Sequence, residues 1–236
     1  MPTYSTTKNF DLAINDIISE AYERCGIEIR DGYDLSTAKR SLNILFAEWA
    51  NRGLNLWTIQ QTDKTLTADA QSVTGTSLYG SAAADASAII DITDVVINDG
   101  TNDFACTSIS RATYFNMPNK ATSGRPSQYY FQREINPTLF LYPAVPSSGT
   151  YTLKYYAMIR LFDADAYTNN AQIPFRFIPC MVAGLAAYLS MKLPNISPDR
   201  IQMLRADYEA AFQLAADEDR EKASVRFVPR DMTYIR

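Results

Sequence analysis

The chain has 236 residues, 47% of them apolar, and a formal net charge of −4. That length suits one domain with a sizeable insertion, and that composition supports a packed core rather than general disorder. An acidic chain lacks the basic stripe that grips phosphates, which argues against a DNA-binding repressor or nuclease but allows a channel wall past which DNA slides.

The three cysteines, Cys25, Cys106 and Cys180, are odd in number, far apart and without a C-x-x-C pair. Neither a disulfide framework nor a zinc site is expected, and a reducing cytoplasm fits best. The opening residues lack a basic region followed by an apolar run, so no signal peptide is expected. No stretch reaches the roughly 18 continuous apolar residues of a membrane span, so no membrane partner is expected either.

Residues 1–53 read as two helices. From Phe10, apolar side chains recur at Ala13, Ile14, Ile17, Ile18, Ala21 and Cys25, one face of a 3.6-residue period, and Gly26 is placed to cap the end. Arg30 to Tyr33 reads as a turn. A second stripe of Leu35, Ala38, Leu42, Leu45, Phe46 and Trp49 ends at Gly53, with Asp34 or Ser36-Thr37 as candidate N-caps.

Residues 54–172 change character. Leu54 to Thr67, Val73 to Tyr79 and Ile89 to Ile97 are rich in β-branched and aromatic residues. Tyr129 to Gln132 and Thr138 to Tyr142 flank Ile135-Asn136-Pro137 as a hairpin, and Thr150 to Ile159 forms another strand. Seven or so short strands punctuated by Gly, Pro and Asn predict a sandwich or small barrel.

Helix returns at 173–221. Phe175 to Leu193 is the longest apolar segment and reads as a buried core helix, opened by Pro174 and stopped by Pro194. Ser197-Pro198-Asp199 is a helix start: a capping hydroxyl, a first-turn proline and a first-turn acid. Ile201, Leu204, Tyr208, Ala211, Phe212 and Ala215 make its apolar stripe. Residues 222–236 carry Lys222, Arg226, Arg230 and Arg236 against the single acid Asp231, interleaved with Val225, Phe227, Val228, Met232, Tyr234 and Ile235. With Pro229 opposing helix, this segment reads as an extended arm that docks on a partner. The expected fold class is therefore α+β. A helical bundle from the N- and C-terminal helices carries an inserted antiparallel β-sandwich or small barrel.

Signals for chemistry are sparse. Histidine is absent, which removes Ser-His-Asp and Cys-His catalysis and H-E-x-x-H metal sites. No phosphate loop or dinucleotide fingerprint occurs. Asp91 with Asp94, and Asp163 with Asp165, are the carboxylate pairs to weigh for glycoside hydrolysis, but acids in such contexts mostly face water. Cys180, between Pro179 and Met181, reads as a small buried hydrophobe rather than a nucleophile. Tyr129, Tyr130, Phe131, Phe140 and Tyr142 could stack bases or sugars, although cross-strand packing is the more routine use. Tyrosine-rich surfaces also suit protein interfaces. No catalytic residue, cofactor or metal is expected, and the chain reads as a non-enzyme.

The helices–insert–helices order resembles the head-to-tail adaptor (tail tubular protein A, or gatekeeper) family of short-tailed phages. The resemblance is carried by Ala38 to Asn43, Glu48 to Trp57, Met117 to Lys120 and Gly124 to Tyr130. The hairpin Ile135 to Pro143 and the helical pair within 173–221 complete it. It implies a virion protein of the tail or neck, assembled in the host cytoplasm, forming a ring of about twelve copies between the portal protein and the tail nozzle protein. DNA would pass through without specific binding, and the arm, with Lys222, Arg226, Phe227, Arg230, Tyr234 and Arg236, would dock on the portal. The competing reading is a carbohydrate-binding or carbohydrate-cleaving tail component, built on the aromatic-rich insert and its acids.

Overall fold

A computed structural model of the chain describes residues 12–29, 32–78, 88–161, 163, 164, 166 and 168–220. Helix α1 (Ile14–Cys25) buries the predicted stripe, and its last turn closes on Gly26 at φ +75°. There Gly26 N–H donates to Glu23 O and Ile27 N–H to Tyr22 O, the paired bonds of a left-handed glycine stop. The Arg200 guanidinium donates to Arg24 O, satisfying another terminal carbonyl. Helix α2 (Gly32–Arg52) ends at Gly53 in the same way, with Leu54 N–H bonded to Trp49 O.

Two expectations for α2 are corrected. Gly32 and Tyr33 are helical rather than part of a turn, so Asp34, Ser36 and Thr37 lie inside the helix and do not cap it. Asp34 instead sits in the first turn, where a negative charge complements the helix dipole.

Helix α5 (Ile178–Ser190) is apolar nearly all round and is correspondingly buried nearly all round. It begins later and ends earlier than the apolar run suggested. Pro174 precedes a 3-10 turn at Phe175–Phe177, and Pro179 takes the first-turn place in α5. Ser190 ends the helix four residues before Pro194, with the N–H groups of Lys192 and Leu193 turned back onto Leu189 O. Helix α6 (Pro198–Glu218) starts as predicted, with the Ser197 hydroxyl accepting from Arg200 N–H. Gly184 of α5 marks a close approach: a Cβ there would lie 2.9 Å from both Leu45 Cδ1 of α2 and Tyr208 Cε2 of α6. Helices α1, α2, α5 and α6 thus share one core, with α5 at its centre and Trp49, Phe177 and Leu185 fully buried within it.

The second core lies between two four-stranded sheets. One has the order β1-β8-β3-β4, from β1 (Ile59–Thr65), β8 (Thr152–Ile159), β3 (Ile89–Asn98) and β4 (Asp103–Ala105), all antiparallel. The other has the order β2-β7-β6-β5, from β2 (Ser72–Thr74), β7 (Thr138–Tyr142), β6 (Gln128–Gln132) and β5 (Thr107–Ser108). Ile92, Val95, Ile97, Leu153, Tyr155 and Ala157 of the first meet Val73, Tyr129, Leu139 and Leu141 of the second. The predicted hairpin is in place, with Tyr130 opposite Phe140 and Phe131 opposite Leu139.

Several details depart from the sequence reading. The pair β5–β6 is parallel rather than antiparallel. The chain crosses between sheets at Cys106, and residues 109–127, including helix α4 (Arg111–Phe115), supply the crossover a parallel pair needs. The strand expected over Val73 to Tyr79 stops at Thr74 and gives way to a helical turn, α3 (Gly75–Leu78). Residues 73 and 78 would point to opposite faces of a continuous strand. The turn puts both in the core, and Leu78 O accepts the Tyr155 hydroxyl. The strand expected from Leu54 begins only at Ile59, because Leu54 is buried in the helical core and Trp57, on a 3-10 turn (Leu56–Thr58), stacks on Phe177 at 4.7 Å.

Candidate functional site

A polar lock ties α2 to α6 across the helical core. Arg52 donates to both carboxylate oxygens of Glu209, at 3.1 and 2.7 Å, and to Glu48 at 3.0 Å, one turn back on its own helix. Its guanidinium lies 3.5 Å from the Phe212 ring centroid, so the cation is held by charge and by the ring face together. Glu48 also accepts the hydroxyls of Tyr188 (2.7 Å) and Tyr208 (3.1 Å), and the Trp49 indole donates to Tyr208 at 3.2 Å. Donation from Arg52 holds the Glu209 carboxyl below the usual glutamate range. The network fixes the angle between two 21-residue helices. It contains no activated nucleophile or base.

The joint between the two cores is made at the end of α6. Asp219 Oδ2 accepts the N–H groups of Asn55 (2.8 Å) and Leu56 (3.2 Å), where the chain leaves α2 for β1. Asn55 Nδ2 reaches Met158 Sδ of β8 at 3.1 Å, and Asn43 Oδ1 accepts Ala164 N–H at 2.8 Å. Glu218 pairs with Arg176 at 3.5 Å. The last turn of α6 is therefore anchored to both cores just before residue 221, beside the start of α5. Asp219 gave no local sequence signal of this role. In the chain it is one acid in the run Asp217-Glu218-Asp219, and its partners lie 163 and 164 positions away.

A groove of about 430 Å³ runs between α1 and α5. Leu12, Ile178, Pro179 and Val182 give it an apolar lining, and Asp16, Glu20 and Glu23 edge it with acid. Arg24, at its rim, is engaged by Glu20 at 3.1 Å and by Asp207 at 3.5 Å.

The described residues singled out for chemistry are used structurally. Asp91 pairs with Arg133 and accepts Ile92 N–H. Asp94 falls in the bulge where β3 slips by one residue against β8. Asp163 is exposed and paired with Arg160 at 2.8 Å, and Asp165 lies outside the described residues. Cys180 is buried, and burial pushes its thiol up to about 12, far from a reactive thiolate. Tyr130 and Phe140 stack across the hairpin at 5.9 Å with Tyr114 of α4 laid against both, and Tyr129 is buried in the sandwich. The aromatic cluster is therefore packing. No group of three or more carboxylates, cysteines or histidines among the described residues is placed to hold a metal ion. No helix among them is long and apolar enough to cross a membrane. Lys222, Arg226, Phe227, Arg230, Tyr234 and Arg236 lie outside the described residues.

No curated protein matches the chain. A family model described as SU10 adaptor protein matches residues 14–231, a span that begins with α1, takes in both cores and continues past the end of α6. The matched span takes in the helical core and the sandwich, together with the joint at Asp219 between them. The chain belongs to the SU10 adaptor protein family, a family of phage head-to-tail adaptors, and has a structural role.

Proposed function

We propose that this protein is the head-to-tail adaptor of a short-tailed phage, forming a ring of about twelve copies between the portal protein and the tail nozzle protein. In this reading the ring lies in the neck of the virion, passes DNA during packaging and ejection, and retains it between the two. The helical core forms the collar, and the sandwich offers the platform for the nozzle. The observation that carries the reading is the family match, which runs through both cores and reaches residue 231, well into the basic and apolar segment 222–236. The net charge of −4 also suits a conduit, since DNA moving past a wall is not held by it.

The docking element is the segment 222–236, with Lys222, Arg226, Arg230 and Arg236 for charge and Phe227 and Tyr234 as apolar anchors. A segment that orders only on its partner loses conformational entropy at that step, but it wraps a large surface and makes assembly sequential. Deleting 222–236 should leave the fold intact, by circular dichroism and thermal melting, and abolish co-sedimentation with the portal. Undiminished co-sedimentation of the truncated protein would refute the arm's role.

A further inference from the structure

We infer that, before it meets the portal, the segment 222–236 is parked on its own subunit, in the acid-edged groove between α1 and α5. The inference rests on the reading of 222–236 as the portal-docking arm and adds a competing site for it within the same chain.

Three observations carry it. The first is charge. The segment holds four basic residues and one acid, so it carries +3 and the preceding 221 residues carry −7 to give the chain's −4. The arm's sign is opposite to that of the chain before it. Asp16, Glu20 and Glu23 put three carboxylates along the groove, and the one cation lining it among the described residues, Arg24, is already engaged by Glu20 and Asp207.

The second is chemistry of the floor. Leu12, Ile178, Pro179 and Val182 offer apolar surface beneath the acids, and the segment alternates Val225, Phe227 and Val228 with Lys222, Arg226 and Arg230. An extended chain places successive side chains on opposite sides. The segment can therefore lay apolar groups on the floor while its basic groups reach the rim.

The third is position. The described chain ends at Arg220, and Glu218 just before it pairs with Arg176, two residues from the groove-lining Ile178. Fifteen extended residues span up to about 50 Å, so the arm starts near one end of the groove with ample length to enter it. Asp219, bonded to Asn55 and Leu56, holds that starting point still.

The consequence is regulation by competition. A parked arm lowers the apparent affinity for the portal by the fraction of subunits in which it is docked at home. It also keeps a sticky basic and apolar segment from joining free subunits to one another. The portal then releases the arm by offering a better site.

The test uses the full chain carrying Arg226→Lys, which keeps the charge and supplies an amine in the middle of the arm. Purified monomer is treated with a zero-length carbodiimide, and crosslinked peptides are read by mass spectrometry. Crosslinks from position 226 to Asp16, Glu20 or Glu23 within one chain are expected, and they should fall several-fold in about 0.5 M salt. The Asp16→Asn/Glu23→Gln double variant should in turn bind the portal several-fold more tightly than the parent. Several results would overturn the inference: no crosslink to these acids, crosslinks found only between two chains, or the groove acids joined only to amines outside the arm. Unchanged portal affinity in the double variant would also count against it. If deletion of 222–236 abolishes portal binding while position 226 fails to crosslink, the arm reading stands and the parking falls. If the truncated protein still binds the portal, the arm reading itself has failed.

Discussion

In the helical core, the decisive contacts join residues far apart in the chain through polar groups: Trp49 with Tyr208, Arg52 with Glu209, and Glu48 with Tyr188. In the sandwich, the equivalent work is done by ladders of backbone bonds and by Leu139, Leu141 and Leu153 meeting between sheets. One core is held at a fixed helix angle by a salt-bridged lock, and the other by register. The difference suits an assembly protein, because the helical part must present a constant geometry while loops at the ends of the sheets stay available for contact. It also makes the two cores separable by experiment, since Trp49 is buried in the helical core and Trp57 stacks on Phe177 beside it. Tryptophan fluorescence therefore reports the helical core and the joint beside it, not the interior of the sandwich.

The largest effects should come from a matched pair, Leu185→Ala in the helical core and Leu139→Ala in the sandwich, each removing a fully buried leucine. Each should cost about 3 kcal/mol, read from urea unfolding followed by tryptophan fluorescence and by far-ultraviolet circular dichroism. If the cores unfold as one unit, both variants shift both signals equally. If Leu139→Ala moves the dichroism and leaves the tryptophan transition in place, the cores are independent.

Gly184→Val sharpens the helical side. A branched side chain must occupy space already filled by Leu45 and Tyr208, and overpacking of this kind costs about 2 kcal/mol. The Trp49–Tyr208 hydrogen bond should loosen with it, which a red shift of the native fluorescence would reveal. An unshifted spectrum with unchanged stability would mean that α5 does not approach its neighbours as closely as described.

Asp219→Ala acts on the joint itself. Losing the acceptor for Asn55 and Leu56 N–H should cost about 1 kcal/mol. Its signature should be faster hydrogen exchange at residues 55 and 56 rather than in either core. Unaltered exchange there would show that the joint is held elsewhere, for instance by Asn43 and Ala164.

The smallest effect concerns pH. Glu209 has its folded-state pKa lowered by Arg52, so its contribution is complete above the ordinary glutamate range. It is lost as pH falls through the lowered folded value. The pair is largely exposed, so the contribution should stay under about 1 kcal/mol. The stability difference between the parent and Glu209→Gln, measured from pH 7 downward, should shrink toward zero in acid. A difference that grows in acid would contradict the assignment.

Periodicity made much of this architecture legible. The stripes of α1, α2 and α6, the glycine stops at Gly26 and Gly53, the Ser197 cap and the Tyr130–Phe140 hairpin all follow from local spacing, and all are present. What spacing does not carry is the partner of each face. The shift from strand to helical turn at Gly75 is dictated by Leu78 needing the same side as Val73, a tertiary demand. The parallel β5–β6 pair rests on a crossover whose strands are only two and five residues long. Arg52, Glu209 and Asp219 are ordinary surface charges when read along the chain, and nothing local marks the Asn55 N–H as the partner of Asp219. Of the candidate chemistry, Asp91, Asp163 and Cys180 read along the chain as structural residues, and the structure pairs the two acids with arginines and buries the thiol.

Native mass spectrometry of the purified protein, alone and mixed with the portal of the same genome, tests whether these subunits assemble on a portal. The expected result is monomer or weak association alone and a portal-bound ring of about twelve copies in the mixture. A protein that remains monomeric and ignores the portal would contradict it.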